Sequence, residues 1–198
     1  MTFSLAILAV VVFYTWAIEP IAPRWAAAVP TLAVIALSIW RALRSGEWGV
    51  RPSAFLPALL WAATATAVAT LAMYLAGSLL GTWHDRRDGW SRLAVLIPWG
   101  LGQQFALQTV FLREAQAALS KSSGRWLAAL LFAALHLPNP FLTAATALGA
   151  LAWCWLYDRH PNLLPLALSH AVVTLAILYA FDETVTGGLR VGAAYWSR

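Results

Sequence analysis

The chain has 198 residues, of which 61% are hydrophobic and 11% charged, with a mean hydropathy of +0.70. A soluble domain carries about a quarter charged residues, so this composition excludes an ordinary water-soluble enzyme and predicts an all-α polytopic transmembrane helical bundle. A net charge of +5 would suggest nucleic acid in a soluble protein. Here the basic residues sit in short connections between apolar runs, so the reading is no nucleic acid, with membrane lipids as the partner.

A crossing needs ~20 mostly apolar residues, and seven segments are predicted at roughly 3–18, 25–43, 54–82, 92–112, 125–137, 141–157 and 162–181. The first has no basic leader and no small-x-small site before Glu19, so it reads as a retained anchor rather than a signal peptide. The third is long enough to tilt or extend past the bilayer. The fifth is short and stops at Pro138. The run Leu137-Pro138-Asn139-Pro140 cannot continue a regular helix, because proline lacks a backbone donor and restricts the residue before it. At membrane depth such a break is tolerated only where it is buried in protein or lines water, which predicts a polar cavity beside His136. The tail from Asp182 to Arg198, with Gly187-Gly188, is expected to be flexible. Trp25, Trp40, Trp48, Trp83, Trp90, Trp126 and Trp196 fall near segment ends, where amphipathic rings favour the interface.

With the N-terminus inside, the inner connections hold Arg41, Arg44, Arg51, Arg113, Lys121, Arg125 and Arg159, and the outer side Arg24, Arg86, Arg87, Arg92, Arg190 and Arg198. That balance does not fix the orientation. Residues 1–91 read as N-terminal membrane helices, 92–181 as the core and 182–198 as a polar tail, all within one integral-membrane domain.

Polar groups inside apolar segments are costly and usually face a bundle interior or each other. Three clusters meet that description: Gln103, Gln104 and Gln108 in WGLGQQFALQ, His136 in LLFAALHLP, and His170 in LPLALSHAVV. Four-residue spacing pairs Gln104 with Gln108, Phe132 with His136, and His170 with Thr174 on shared helix faces. Membrane Gln and His also hold helices together without any chemistry; two histidines on separate helices, one beside a break, favour function.

These residues carry a resemblance to the CAAX-processing and bacteriocin-processing family of intramembrane proteases (CPBP, also called ABI). That family is marked by EExxxR, then FxxxH, then a later His followed four residues on by Asn. The chain has QQFALQ at 103–108, FAALH at 132–136 and HAVVT at 170–174, with 33 residues from Gln103 to His136. HLPNP and SHA also resemble the family, and the likeness covers roughly 92–180. Both glutamates become Gln103 and Gln104, the arginine becomes Gln108, and the Asn becomes Thr174. A neutral amide has no useful basicity, and without carboxylates a buried guanidinium would be an unpaired charge. The three exchanges therefore read as one concerted switch to neutral hydrogen bonding.

The resemblance implies an endopeptidase-type site for a hydrophobic or lipidated peptide or membrane-protein substrate. Its catalytic residues would be His136 as base, His170 as polariser, and Gln103 and Gln104, with Gln108, Phe132, Thr174 and Ser169 binding or orienting. The second reading is a non-catalytic pseudoprotease that keeps the cavity and binds membrane peptides or partner proteins as a scaffold or immunity factor. A transporter is disfavoured, since no repeat and no charged pathway is found. No metal and no cofactor is expected: two histidines fall short of three or four ligands. Glu114 lies eleven residues past Gln103, about 16 Å along a helix axis, and reads as a membrane-edge charge. Ser169 points about 100° from His170 on a helix, so the two form no dyad by themselves. Cys154 reads as packed, and His84 and His160 as solvated. The expected location is the bacterial inner (plasma) membrane.

Overall fold

The computed structural model describes residues 1–85 and 88–197; Arg86, Arg87 and Arg198, counted above among the outer charges, lie outside the described residues, as does the side chain of Arg24. The chain is 82% helical, and its sole β-pairing among the described residues is an isolated antiparallel bridge between Val50 and Asn162. The helices are α1 (Thr2–Phe13), α2 (Ala28–Ser45), α3 (Phe55–Leu80), α4 (Gly89–Phe105), α5 (Arg113–Ala118), α6 (Lys121–Ala134), α7 (Pro140–Arg159), α8 (Leu163–Ala180) and a final turn, α9 (Glu183–Thr186). The seven segments read from the sequence are thus helical through most of their length. Four helical stretches, Trp25–Ser45, Pro52–Leu80, Pro140–Arg159 and Leu163–Ala180, are long and apolar enough to cross a membrane, while Thr2–Ile18 is shorter. Large apolar side chains stand outward on these helices, among them Leu79 at 87% and Leu148 at 72% exposure, the surface expected of a chain whose solvent is lipid.

The fourth segment differs from a regular α-helix. From Ala106 to Leu112 the backbone is a π-helix, and all seven of its residues are buried. A π turn inserts an extra residue between successive hydrogen bonds and is common at functional positions. Nothing in ALQTVFL announces it, because the apolar pattern of a buried helix is continuous.

Two compact units interleave along the chain. The first comprises Met1–Trp48, Phe105–Trp155 and the chain from Leu189 onward; the second comprises Gly49–Gln104 and Leu156–Gly188. At one end of the first unit the Glu114 carboxylate accepts the backbone N–H of Phe3 at 3.2 Å, that of Ser4 at 2.8 Å and the Ser4 hydroxyl at 2.7 Å. It thereby satisfies N–H groups that the first turn of α1 leaves without helical partners. Arg113 pairs with Glu47 at 2.7 Å in the same region. Glu114 thus has a structural role at the start of α1. α6 starts at Ser120, whose hydroxyl accepts the Ser123 N–H, as an N-cap should.

In the second unit α8 is central: 56% of its most apolar stretch is buried, against 17% for α3. Asn162 caps α8 by accepting the Leu164 N–H at 3.1 Å and ties it to the Arg51 carbonyl at 3.0 Å. At the other end α3 approaches α8 so closely that a Cβ at Gly77 would overlap the Ala180 carbonyl. Small residues permit this approach where helices pack in lipid. Thr82 donates to the same carbonyl at 2.7 Å, and Trp83 lies against both Tyr74 and Tyr179.

The tail, expected to be flexible, is hydrogen-bonded to other parts of the first unit. Residues 189–197 pass through a 3₁₀ turn, Gly192–Tyr195, and are fixed by hydrogen bonds within the first unit. The backbone N–H of Gly192 donates to the Leu137 carbonyl at 2.8 Å, and the Asn139 amide donates to the Arg190 carbonyl at 3.0 Å. Gly187-Gly188, which composition alone reads as looseness, serves a left-handed turn, with φ of 60° and 66°.

Candidate active site

In the first unit, α6 ends at Ala134 and His136 stands in the turn that follows. Its Nδ1 lies 2.9 Å from the Phe132 carbonyl. A carbonyl only accepts, so Nδ1 carries a proton; when the ring is neutral its lone pair is then on Nε2. The Phe132 ring lies against the imidazole, with centroids 5.2 Å apart. The four-residue spacing seen in FAALH therefore works through the backbone oxygen of the first residue as well as its ring. Gln108 is fully buried in the π turn.

The break after His136 is made of protein contacts. The N–H groups of His136, Leu137 and Asn139 donate to carbonyls three residues back, at 2.9, 3.3 and 3.2 Å. Asn139 is fully buried, and its Oδ1 accepts the Leu142 N–H at 3.0 Å, which caps α7. These backbone groups of the break are thus satisfied by the chain itself.

In the second unit, His170 is 7% exposed and Gln104 fully buried. Gln104 Nε2 lies 3.3 Å from His170 Nδ1. Where the amide nitrogen donates in this contact, Nδ1 accepts and the imidazole proton sits on Nε2. The bond exists because α4 lies close to α8 one turn earlier: a Cβ on Gly100 would stand 2.9 Å from the Ala167 carbonyl and 3.5 Å from His170 Cβ. Gly100 was not singled out from the sequence, although GLG just before the Gln pair is the signal of a small-residue contact. Gln103 and Thr174 are half-buried on α4 and α8; among the described residues no hydrogen bond ties either to Gln104 or His170.

Ser169 faces α3, where its hydroxyl and that of Thr66 are 2.7 Å apart. This pair lines an open groove of about 640 Å³ between α3 and α8, walled by Leu59, Ala63, Leu71, Leu168 and Val172. The Thr70 hydroxyl lines the same groove and is buried with no hydrogen-bond partner. Neither threonine was anticipated, since Thr in an apolar helix normally bonds its own backbone and carries no pattern of its own.

Among the described residues no group of three or more His, Cys, Asp or Glu could hold a metal ion. Cys154 is buried.

Residues 87–176 match the family model of the type II CAAX prenyl endopeptidases, Rce1-like. The resemblance drawn from the three motifs is thereby found again over nearly the same part of the chain. No curated protein and no solved structure matches. Apolar helices and this match together make the chain an integral membrane protein with an intramembrane-protease-like region.

Proposed function

From the Rce1-like region spanning residues 87–176, we propose that the chain is an intramembrane endopeptidase for hydrophobic or lipidated peptides, working without the family's carboxylates. The observation that carries this reading is the family match, which spans both histidines; the contacts of the two rings are consistent with a base and a donor. His136 offers a lone pair on Nε2, held there by the Phe132 carbonyl. His170 offers an N–H on Nε2, held there by Gln104. A base and a donor are what peptide hydrolysis by water requires.

In this reading His136 Nε2 takes a proton from water as the oxygen attacks the peptide carbonyl. The family resemblance, rather than any distance between the two rings, assigns the oxyanion that forms to the His170 N–H. Collapse breaks the C–N bond, and the proton held by His136 passes to the leaving nitrogen. Gln103, Gln104, Gln108 and Thr174 supply neutral donors and acceptors, Phe132 and Ser169 line and orient, and the groove beside Ser169 receives the apolar part of the substrate. The bacterial plasma membrane is the proposed location.

The second reading, a pseudoprotease that binds membrane peptides or partner proteins, is favoured by one specific observation. The position paired with His170 is an amide, which cannot take a proton. Mass spectrometry of new protein termini in native membranes separates the two. The wild type, a deletion strain and a strain carrying His136→Ala with His170→Ala at normal abundance are compared. Termini that vanish in both altered strains are expected for the endopeptidase and name its substrate. Identical termini in all three rule it out under those conditions and leave the binding protein.

A further inference from the structure

The C-terminal segment lies beyond the residues that match the endopeptidase family, yet it is bonded to the turn that carries His136. We propose that residues 189–195 are a positioning element of the His136 site, and that Gly192 is the residue on which this depends. The inference rests on the reading of His136 as functional.

Three observations within the first unit converge. The Gly192 N–H donates to the carbonyl of Leu137, the residue after His136, at 2.8 Å. Asn139 donates to the Arg190 carbonyl at 3.0 Å, and its own N–H donates to the His136 carbonyl at 3.2 Å. The tail therefore holds both Leu137 and Asn139, and Asn139 closes onto His136. Gly192 has φ of +57°, and a Cβ there would overlap the Thr15 carbonyl in the π turn, Tyr14–Ile18, that follows α1. Conformation and space both demand glycine.

The turn needs these partners. The Asn139 amide is fully buried, and a buried polar group without a partner is costly. Without the tail, the Leu137 carbonyl and the Asn139 amide lose their bonds, and the turn is driven to rearrange. His136 moves with it, since its ring is oriented by a bond back to Phe132 that requires the turn to keep its present course. Leu189, also left-handed at φ of 55° without being glycine, shows that the segment is held in a set conformation rather than draped.

The test uses the full chain in lipid nanodiscs and reads the rate at which diethyl pyrocarbonate modifies each histidine, by mass spectrometry. His84, His160 and His170 serve as internal references. For Gly192→Val, the rate at His136 is expected to rise about threefold or more, as local opening would give, with the three references unchanged. A His136 rate equal to that of the wild type in the folded variant overturns the proposal. Should all four rates rise together, Gly192→Ala, whose single methyl already meets Thr15, decides by the same comparison. Because this readout needs no cleavage, a wild type that cuts nothing sinks the endopeptidase reading while the positioning result stands or falls by itself.

Discussion

His136 and His170 are held in opposite ways. The first is pinned by its own chain, through a carbonyl four residues back and a turn closed by the C-terminal tail. The second is pinned by a side chain 66 residues away, delivered by a helix contact that depends on a glycine. A local bond keeps its partners near each other in sequence, but at His136 its geometry still depends on the turn that the tail closes. A long-range bond is only as good as the packing that brings its partners together. Under the proposed function the same ring is a base in one setting and a donor in the other, by which nitrogen its neighbour engages.

The largest expected effect breaks the comparison outright. If the two rings share the work of hydrolysis, His136→Ala and His170→Ala should each lower cleavage by about 10²–10⁴-fold, measured on the substrate that terminal mass spectrometry identifies. A change that leaves the rate intact at either histidine would remove that ring from the mechanism and reduce the contrast to two ways of packing an imidazole.

Gly100→Leu tests the long-range arm alone. Its side chain must enter a space where even a Cβ stands 2.9 Å from the Ala167 carbonyl, and overpacking of this kind costs about 1–3 kcal/mol. Reversible denaturation in mixed micelles should show that loss, and the ring nitrogen shifts of His170 should change while those of His136 stay put. Equal disturbance of both rings would mean that the two are not independently held.

Gln104→Glu sharpens the contrast further. A carboxylate only accepts, so His170 Nδ1 must now carry the proton, and the two histidines would come to share one tautomer. Nitrogen-15 spectra of labelled histidine would report the exchange directly. Under the endopeptidase reading the variant stays active or gains activity, since a carboxylate beside a histidine returns toward the family's pattern. Under the binding reading it introduces a buried charge with no use, and the expected result is lost stability alone.

How much of this was legible in the sequence follows the same division. Membrane character and the helical segments came from composition and run length, which are local and additive. His136 with Phe132, and Gln104 as a partner worth naming, came from spacing. Gly100, Thr66 and the tail did not, because each acts through a contact that only the folded chain creates: a carbonyl of α8, a hydroxyl of α8, the carbonyl after His136. The π turn around Gln108 was invisible for another reason. Its residues are buried all round, so no face pattern exists from which a change of period could be read. Asn139 lies between these cases. Asn before a helix is a legible cap, but its second bond, to the tail, is not.

The smallest effect concerns Glu114, another side chain that bonds across elements. Burial alone would raise its pKa, but the Ser4 backbone, the Ser4 hydroxyl, the Phe3 backbone and the N-terminal ammonium together outweigh this and hold the carboxyl below the usual carboxylate range. A carboxyl lowered by folding stabilises the fold fully above its unfolded pKa, and that contribution is lost as pH falls through the folded value. Melting temperature in detergent should therefore fall in acid below the ordinary carboxylate range, and Glu114→Gln should flatten that part of the curve. At neutral pH the same variant should cost about 0.5–2 kcal/mol, the range for a lost helix cap, while leaving the nitrogen shifts of both histidines alone. An effect on His136 would instead mean that the start of α1, through the π turn that follows it at Thr15 and the glycine seated there, belongs to the same support as the tail, and that the local arm of the comparison extends along the whole of the first helix.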